Sequence, residues 1–78
     1  MKVSPVNVHI GAQIRKRRTL LGLSQSDLAK PLDLSFQQIQ KYERGTNRMS
    51  PDMMLDVARV LNVPYTYFFA ALPQSTRF

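Results

Sequence analysis

The sequence contains no cysteine, no long apolar run and few acidic residues. The absence of cysteine excludes disulfides and thiolate metal sites, so a domain of 78 residues must be held together by helix packing. It also indicates a reducing compartment, and we expect a cytoplasmic protein. No stretch approaches the roughly 18 apolar residues of a membrane span, and residues 1–8 carry a single lysine, so neither membrane insertion nor secretion is expected.

The sequence has only five acidic residues but 11 lysines and arginines, which gives a net charge of +6 and a pI of about 10.4. This balance favours nucleic acid as a partner, although a basic surface can also serve solubility alone. The carboxylates are scattered or cap helices, and His9 has no cysteine or metal-ligand cluster beside it. We therefore expect no enzyme, no metal and no cofactor, with His9 as a surface residue.

The hydrophobic pattern is helical from the start of the chain. Ile10, Ile14 and Leu21 form one apolar stripe, which predicts a first helix over residues 7–21 that Gly22 stops. Arg18 lies on or beside this stripe. Because an unpaired charge there would be costly, Arg18 is expected to find a carboxylate partner.

Two capping signals follow at short spacing. Ser24 and Asp27 have the spacing of a capping box and begin a second helix, which Pro31 is expected to shorten or kink. Ser35 begins a third helix, with Gln38 completing a second capping box. This helix runs to about Arg44, where Gly45 ends it.

The second half of the chain predicts one more long helix and an aromatic turn. Ser50 before Pro51 is a helix start, and Asn62 and Pro64 end that helix. Residues 65–69 are long enough for one aromatic turn that covers the base of the core. We expect an all-α protein, a compact bundle of about five helices, with an arm at 1–8, a domain at 9–69 and a tail at 70–78. Residues 73–78 could be a natural end, a linker to a further domain or an artificial boundary.

Residues 24–45 form two short helices joined by a tight turn, the unit that places one helix across the DNA major groove. On its second helix, Gln37, Lys41 and Arg44 project away from Ile39, Tyr42 and Glu43, and this outer side carries no carboxylate. Glutamine pairs with adenine and lysine with guanine, so this side is suited to reading bases. The predicted base contacts are Phe36, Gln37, Gln38 and Lys41.

The sequence leaves alternatives open for Phe36 and for several residues that could contact phosphate. Phe36 either presses on a thymine methyl or packs beside Leu34 and the first helix. Ser24 and Gln25 lie at a helix start, where free N–H groups favour phosphate. Other phosphate candidates can equally be solubilising surface. The full set of predicted phosphate contacts is Lys16, Ser24, Gln25, Ser35, Gln40, Arg44, Thr46, Asn47 and Arg48.

The run GLSQSDLAKPLDLSFQQIQKYERG resembles the DNA-binding core of the phage Cro/repressor (Xre-like) family, and the resemblance covers residues 9–69. The two departures are Asp33, at a turn position usually held by glycine, and Pro31 in the second helix. The matching positions are Ile14, Arg18, Gly22, Leu23, Gln25, Leu28, Ala29, Leu32, Ser35, Ile39, Glu43, Gly45, Ala58, Leu61 and Pro64.

The resemblance implies a lambda-repressor-like fold of about five helices in a bacterial or phage-encoded protein that associates with the nucleoid when bound. It implies that Gln25 holds a DNA phosphate, that residues 36–41 read bases, and that Arg18 pairs with Glu43 behind the recognition helix. It also implies a homodimer on an inverted-repeat operator, acting most simply as a repressor, with no small-molecule ligand. The alternative is a protein-interaction or antitoxin-type module that kept the fold without DNA binding.

Overall fold

The computed structural model describes residues 4–72, and within that range it is all-helical. Four α-helices follow one another along the chain: α1 (Pro5–Leu20), α2 (Gln25–Ala29), α3 (Phe36–Arg44) and α4 (Pro51–Leu61). Two short 3-10 helices, Lys30–Leu32 and Tyr65–Phe69, complete the described part. The expectation of about five helices is therefore corrected to four. The fifth segment is a 3-10 turn because its hydrogen bonds span three residues, as in the bond from the Tyr67 N–H to the Pro64 carbonyl oxygen at 2.9 Å.

The first helix begins earlier than predicted. Ser4 is its N-cap and accepts a hydrogen bond from the Asn7 N–H at 3.4 Å, with Pro5 in the first helical position. The predicted start at Asn7 was wrong, and residues 5–8 of the predicted arm belong to α1. The same serine–proline signal that marks α4 was present here and was overlooked. Residues 1–3 of the arm and residues 73–78 of the tail lie outside the described residues.

The second helix is short, as predicted. Its capping box is complete, since the Asp27 N–H donates to Ser24 Oγ and the Ser24 N–H donates to Asp27 Oδ2, each at 2.9 Å. The Ser24 N–H, and next the Ser24 hydroxyl, lower the pKa of the Asp27 carboxyl below its ordinary value of 3.8. Pro31 lies in the 3-10 helix that follows α2, and Asp33 ends it with a left-handed φ of 57°.

The caps of the two later helices also follow the sequence signals, with one exception. Ser35 accepts from the Gln38 N–H at 3.3 Å, but the Gln38 side chain does not complete the predicted box. Gly45 ends α3 with a φ of 76°. Ser50 caps α4, and Asn62 ends it with a φ of 56°.

The core lies where the four helices meet the aromatic turn. Phe68 of that turn is fully buried and Tyr67 is packed beside it, with ring centroids 6.1 Å apart at 78°. Residues 65–69 thus cover the core as predicted, while Tyr65 and Phe69 remain partly exposed. The buried apolar side chains are Ile10, Ile14, Leu28, Ala29, Ile39, Met49, Val57, Ala58, Leu61 and Phe68.

Helix α1 fixes the positions of both α3 and the aromatic turn. At Gly11, α1 approaches α3 so closely that a Cβ on this residue would overlap the carbonyl oxygens of Tyr42 and Glu43. On another side of α1, His9 Nε2 donates to the Ala70 carbonyl oxygen at 2.7 Å. His9 is half-buried, and this exposed bond joins α1 to the segment after the aromatic turn. Within residues 4–72, no helix is long and apolar enough to cross a membrane.

Candidate nucleic-acid interface

Helix α3 has one buried side and one open side. Ile39 is 1% exposed and anchors the helix in the core, with Tyr42 partly buried beside it. Gln37 and Lys41 are exposed on the opposite side. Because the buried side is locked to α1 and α2, the exposed side chains are presented on a rigid support.

Phe36 stands at the N-terminal end of this open side and is 44% exposed. The ring is therefore only partly used in packing, and an apolar face remains open at the start of α3. Gln38 and Gln40 are half-buried at the margins of the helix. The open side thus consists of amide, ammonium and aromatic groups, and the only carboxylate of the helix, Glu43, lies on its other side.

A buried ion pair holds α3 to α1. Arg18 Nε lies 2.6 Å from Glu43 Oε2, and Arg18 Nη2 lies 3.1 Å from Glu43 Oε1. The remaining terminal nitrogen, Nη1, donates to the Leu23 carbonyl oxygen at 2.8 Å. The side chains of Arg18 and Glu43 are only 10% and 4% exposed. This geometry is bidentate, the arrangement in which a guanidinium–carboxylate pair is strongest.

The same carboxylate also holds Gln25. Gln25 Nε2 donates to Glu43 Oε1 at 3.1 Å, which links α2 to α3 through one side-chain bond. An amide nitrogen carries two N–H groups, so one donor of Gln25 remains for another partner. Glu43 therefore orients both an arginine from α1 and a glutamine from α2.

The predicted phosphate contacts lie on α1, at the start of α2, at the start and in the second half of α3, and in the segment after it. Thr46 differs from the others, because its hydroxyl and its N–H both donate to the Lys41 carbonyl oxygen, at 3.2 and 3.1 Å. These two bonds join Thr46 to the last turn of α3, just after the C-cap Gly45, and its contact with phosphate stays a prediction. Of the remaining candidates, the exposed ones are Lys16, Ser24, Ser35, Arg44 and Arg48, and the half-buried ones are Gln25, Gln40 and Asn47.

Sequence reasoning missed one residue that lies beside three of these candidates. Arg15 lines a polar pocket of about 210 Å³ between α1, α2 and α3, together with Gln25, Gln40 and Arg44. The signal was its position one helical turn before Arg18, which places both arginines on neighbouring parts of α1. Arg17 takes a structural role instead, since its Nε donates to the Leu61 carbonyl oxygen at 2.9 Å.

Comparison with known proteins identifies this arrangement. A helix-turn-helix family model matches residues 14–68, which include α2, α3 and most of the core. The chain belongs to the Cro/repressor (Xre-like) helix-turn-helix family. Helices α2 and α3 are thus its helix-turn-helix unit, and α3 occupies the position of the recognition helix.

The relatives of this helix-turn-helix chain are longer proteins. An HTH-type transcriptional regulator of Sinorhizobium medicae is 47% identical over 72 residues, which cover 92% of this chain and 52% of the relative. A transcriptional regulator in the ATPase CF(0) region of Rhodospirillum rubrum is 52% identical over 67 residues, covering 86% of this chain and 62% of that protein. The chain therefore spans about half to three fifths of the length of these curated relatives.

Two solved structures share the fold of this helix-turn-helix chain. The restriction-modification controller protein C.AhdI from Aeromonas hydrophila superposes with a TM-score of 0.76 at 32% identity, covering 80% of this chain and 94% of that one. The clp gene regulator ClgR from C. glutamicum superposes with a TM-score of 0.81 at 20% identity, covering 94% and 95%. The likeness to ClgR shows the fold alone.

Proposed function

We propose that this chain is a sequence-specific DNA-binding domain of a cytoplasmic transcriptional regulator that reads the major groove with α3. The observation that carries the proposal is the open side of α3, where Gln37 and Lys41 are exposed beside a half-exposed Phe36. A glutamine amide matches adenine N6 and N7, a lysine matches guanine O6 and N7, and an aromatic ring matches the thymine methyl. Gln38, half-buried at the margin, is a fourth candidate for base contact.

Positive charge supports the same function. Lys16 of α1, Arg44 of α3 and Arg48 in the segment after α3 are exposed cations, and the chain as a whole carries a net charge of +6. We assign these residues, together with Ser24, Gln25, Ser35, Gln40, Thr46 and Asn47, to contacts with the DNA backbone. Such contacts set the register of the helix in the groove and carry no sequence information of their own.

We further propose that the regulator acts as a homodimer on an inverted-repeat operator, as a repressor that occludes the DNA. An apolar groove of about 460 Å³ lies between α4 and the aromatic turn and contains no residue of α2 or α3. Among its lining residues, Leu55, Tyr65 and Phe69 are 43%, 52% and 37% exposed. A second copy seated there leaves both recognition helices free, as a two-fold operator requires.

Selection of binders from a pool of randomised duplex DNA at near-physiological salt tests the function directly. We expect an enriched inverted repeat with half-site centres about 10 base pairs apart, one helical turn. A pool that stays random would refute DNA reading and favour a protein-interaction module. Sedimentation that shows only monomer at high concentration, with and without the selected duplex, would refute the dimer, and Leu55→Glu is expected to give monomer.

Two variants separate base reading from backbone contact on the selected duplex. Gln37→Ala is expected to relax the preference at one base position by about 1–3 kcal/mol. Lys16→Ala is expected to weaken binding to all sequences alike, and to lower by about one unit the slope of the logarithm of the binding constant against the logarithm of the salt concentration. Arg59→Ala serves as the control. Like Lys16→Ala it removes one positive charge, but from α4, where Arg59 pairs with Asp56. A uniform loss for Gln37→Ala would contradict its role in base reading.

A further inference from the structure

The sulfur chemistry of this chain belongs to methionine alone. The sequence contains no cysteine and four methionines, and three of them, Met49, Met53 and Met54, lie in or just before the first turn of α4. A peroxide oxidises the thioether of methionine to a sulfoxide, which replaces a flexible apolar side chain by a polar one. The consequence of that change depends on what surrounds each sulfur.

These three methionines have different surroundings. Met49 is 8% exposed and belongs to the core. Met53 and Met54 are both half-buried, and both pack against the core. Successive residues of a helix are rotated by about 100°, however, and among the methionines between residues 4 and 72 only Met54 also lines the apolar groove between α4 and the aromatic turn. Met53 is therefore a half-buried neighbour that lies outside the groove.

The other walls of this groove offer little to a polar group. Pro51, Leu55 and Phe69 have no hydrogen-bonding side chain, and the Tyr65 hydroxyl is the one such group among the lining residues. In the open groove, water can satisfy the oxygen of a sulfoxide at Met54. A partner surface that covers the groove removes this water, and a polar group left there without a hydrogen bond opposes binding.

We propose that Met54 is an oxidation site that controls whether the groove accepts a second copy of the chain. A peroxide transfers one oxygen atom to the Met54 sulfur: the S–O bond forms as the O–O bond breaks, the sulfur loses two electrons, and the other oxygen leaves as water. The sulfoxide keeps the groove hydrated, so the dimer dissociates and each monomer holds only one half-site. The proposal rests on the proposed dimer and adds a chemical control to it.

Partial oxidation of the wild-type chain by hydrogen peroxide tests this assignment. The monomer and dimer fractions are separated by size, and peptide mass spectrometry measures the sulfoxide at each methionine. We expect Met54 sulfoxide to be enriched in the monomer by about tenfold or more, the effect of one polar group left unpaired, and Met53 sulfoxide to be shared equally. We also expect Met54 to oxidise more slowly at protein concentrations that favour the dimer, because the partner covers it.

Two variants give an independent comparison, in which the dimer dissociation constant of each is measured before and after oxidation. In Met53→Leu the constant is expected to rise upon oxidation as it does in the wild type, whereas in Met54→Leu it is expected to stay unchanged upon oxidation. Leucine is used because it keeps an apolar side chain of similar volume. Circular dichroism of the oxidised chains excludes unfolding caused by oxidation of the buried Met49.

The outcomes distinguish the oxidation site from the proposed dimer. If Met54 sulfoxide is found equally in the monomer and dimer fractions, the oxidation site is wrong although the dimer stands. Enrichment of Met49 or Met53 sulfoxide in the monomer in place of Met54 would also overturn it, since the effect would then come from loss of packing. If the chain is monomeric before any oxidation, the dimer and the oxidation site fall together.

Discussion

Replacing Glu43 by alanine tests whether the buried ion pair holds the recognition helix. The variant removes the acceptor of three hydrogen bonds, two from Arg18 and one from Gln25, and leaves the Arg18 guanidinium only 10% exposed without a counter-charge. Removing one partner of a buried pair costs about 3–5 kcal/mol, mainly because the other charge stays buried. A chain of 78 residues has a total stability of about 4–12 kcal/mol, so the loss is a large fraction of it.

Urea denaturation followed by circular dichroism measures this loss. Asp56→Ala is the control, because Asp56 pairs with Arg59 at 3.2 Å with side chains 50% and 77% exposed, and exposed pairs contribute less than about 1 kcal/mol. The double variant Arg18→Met with Glu43→Leu is expected to recover most of the stability, since no buried charge is left unpaired. If Glu43→Ala and Asp56→Ala lower the free energy of unfolding by similar amounts, the reasoning about burial is refuted.

Three further predictions concern single side chains. Gly11→Ala is expected to lower the melting temperature by an amount equivalent to about 1–3 kcal/mol, because the new methyl group overlaps the α3 backbone; an unchanged melting curve would contradict the close approach. Asp33→Gly is expected to keep or slightly raise stability, whereas Asp33→Val costs about 1–2 kcal/mol at the left-handed turn, and equal urea midpoints for the two would exclude strain there. The pKa of Asp27 is lowered in the folded state. The stability that its ionised carboxylate adds is therefore fully present above pH 3.8, and it is lost as the pH falls through the folded-state pKa. Asp27→Asn is therefore expected to be less stable than the wild type at neutral pH and to approach it in acid, and a difference independent of pH would argue against the capping role.

Local signals determined where most helices begin and end. The helix starts at Ser24 and Ser50 are examples. Their side chains accept hydrogen bonds from N–H groups only three residues further along the chain, so the sequence alone predicts these starts. Gly45 and Asn62 end helices through their own backbone conformation. The start of α1 at Ser4 and Pro5 belongs to the same class and was open to prediction.

The open side of α3 was also determined by the sequence. A rotation of about 100° per residue separates Ile39 from Gln37 and Lys41 regardless of what the helix packs against. Burial of Ile39 then decides which side faces the core. The need of Arg18 for a carboxylate followed in the same way, from its place beside an apolar stripe.

Apart from the Arg18–Glu43 pair, which the family resemblance predicted, tertiary structure alone decided the contacts between residues distant in the chain. Gln25 and Glu43 are 18 positions apart and His9 and Ala70 are 61 apart, and no periodic pattern encodes such pairings. The pocket that Arg15 and Arg44 line together is formed by α1, α2 and α3, and α1 approaches the α3 backbone closely at Gly11. Sequence thus determined the helices and their faces, since these depend on hydrogen bonds and rotation within a few residues. The site depends on how the faces pack, because a binding pocket is formed by side chains of several helices at once.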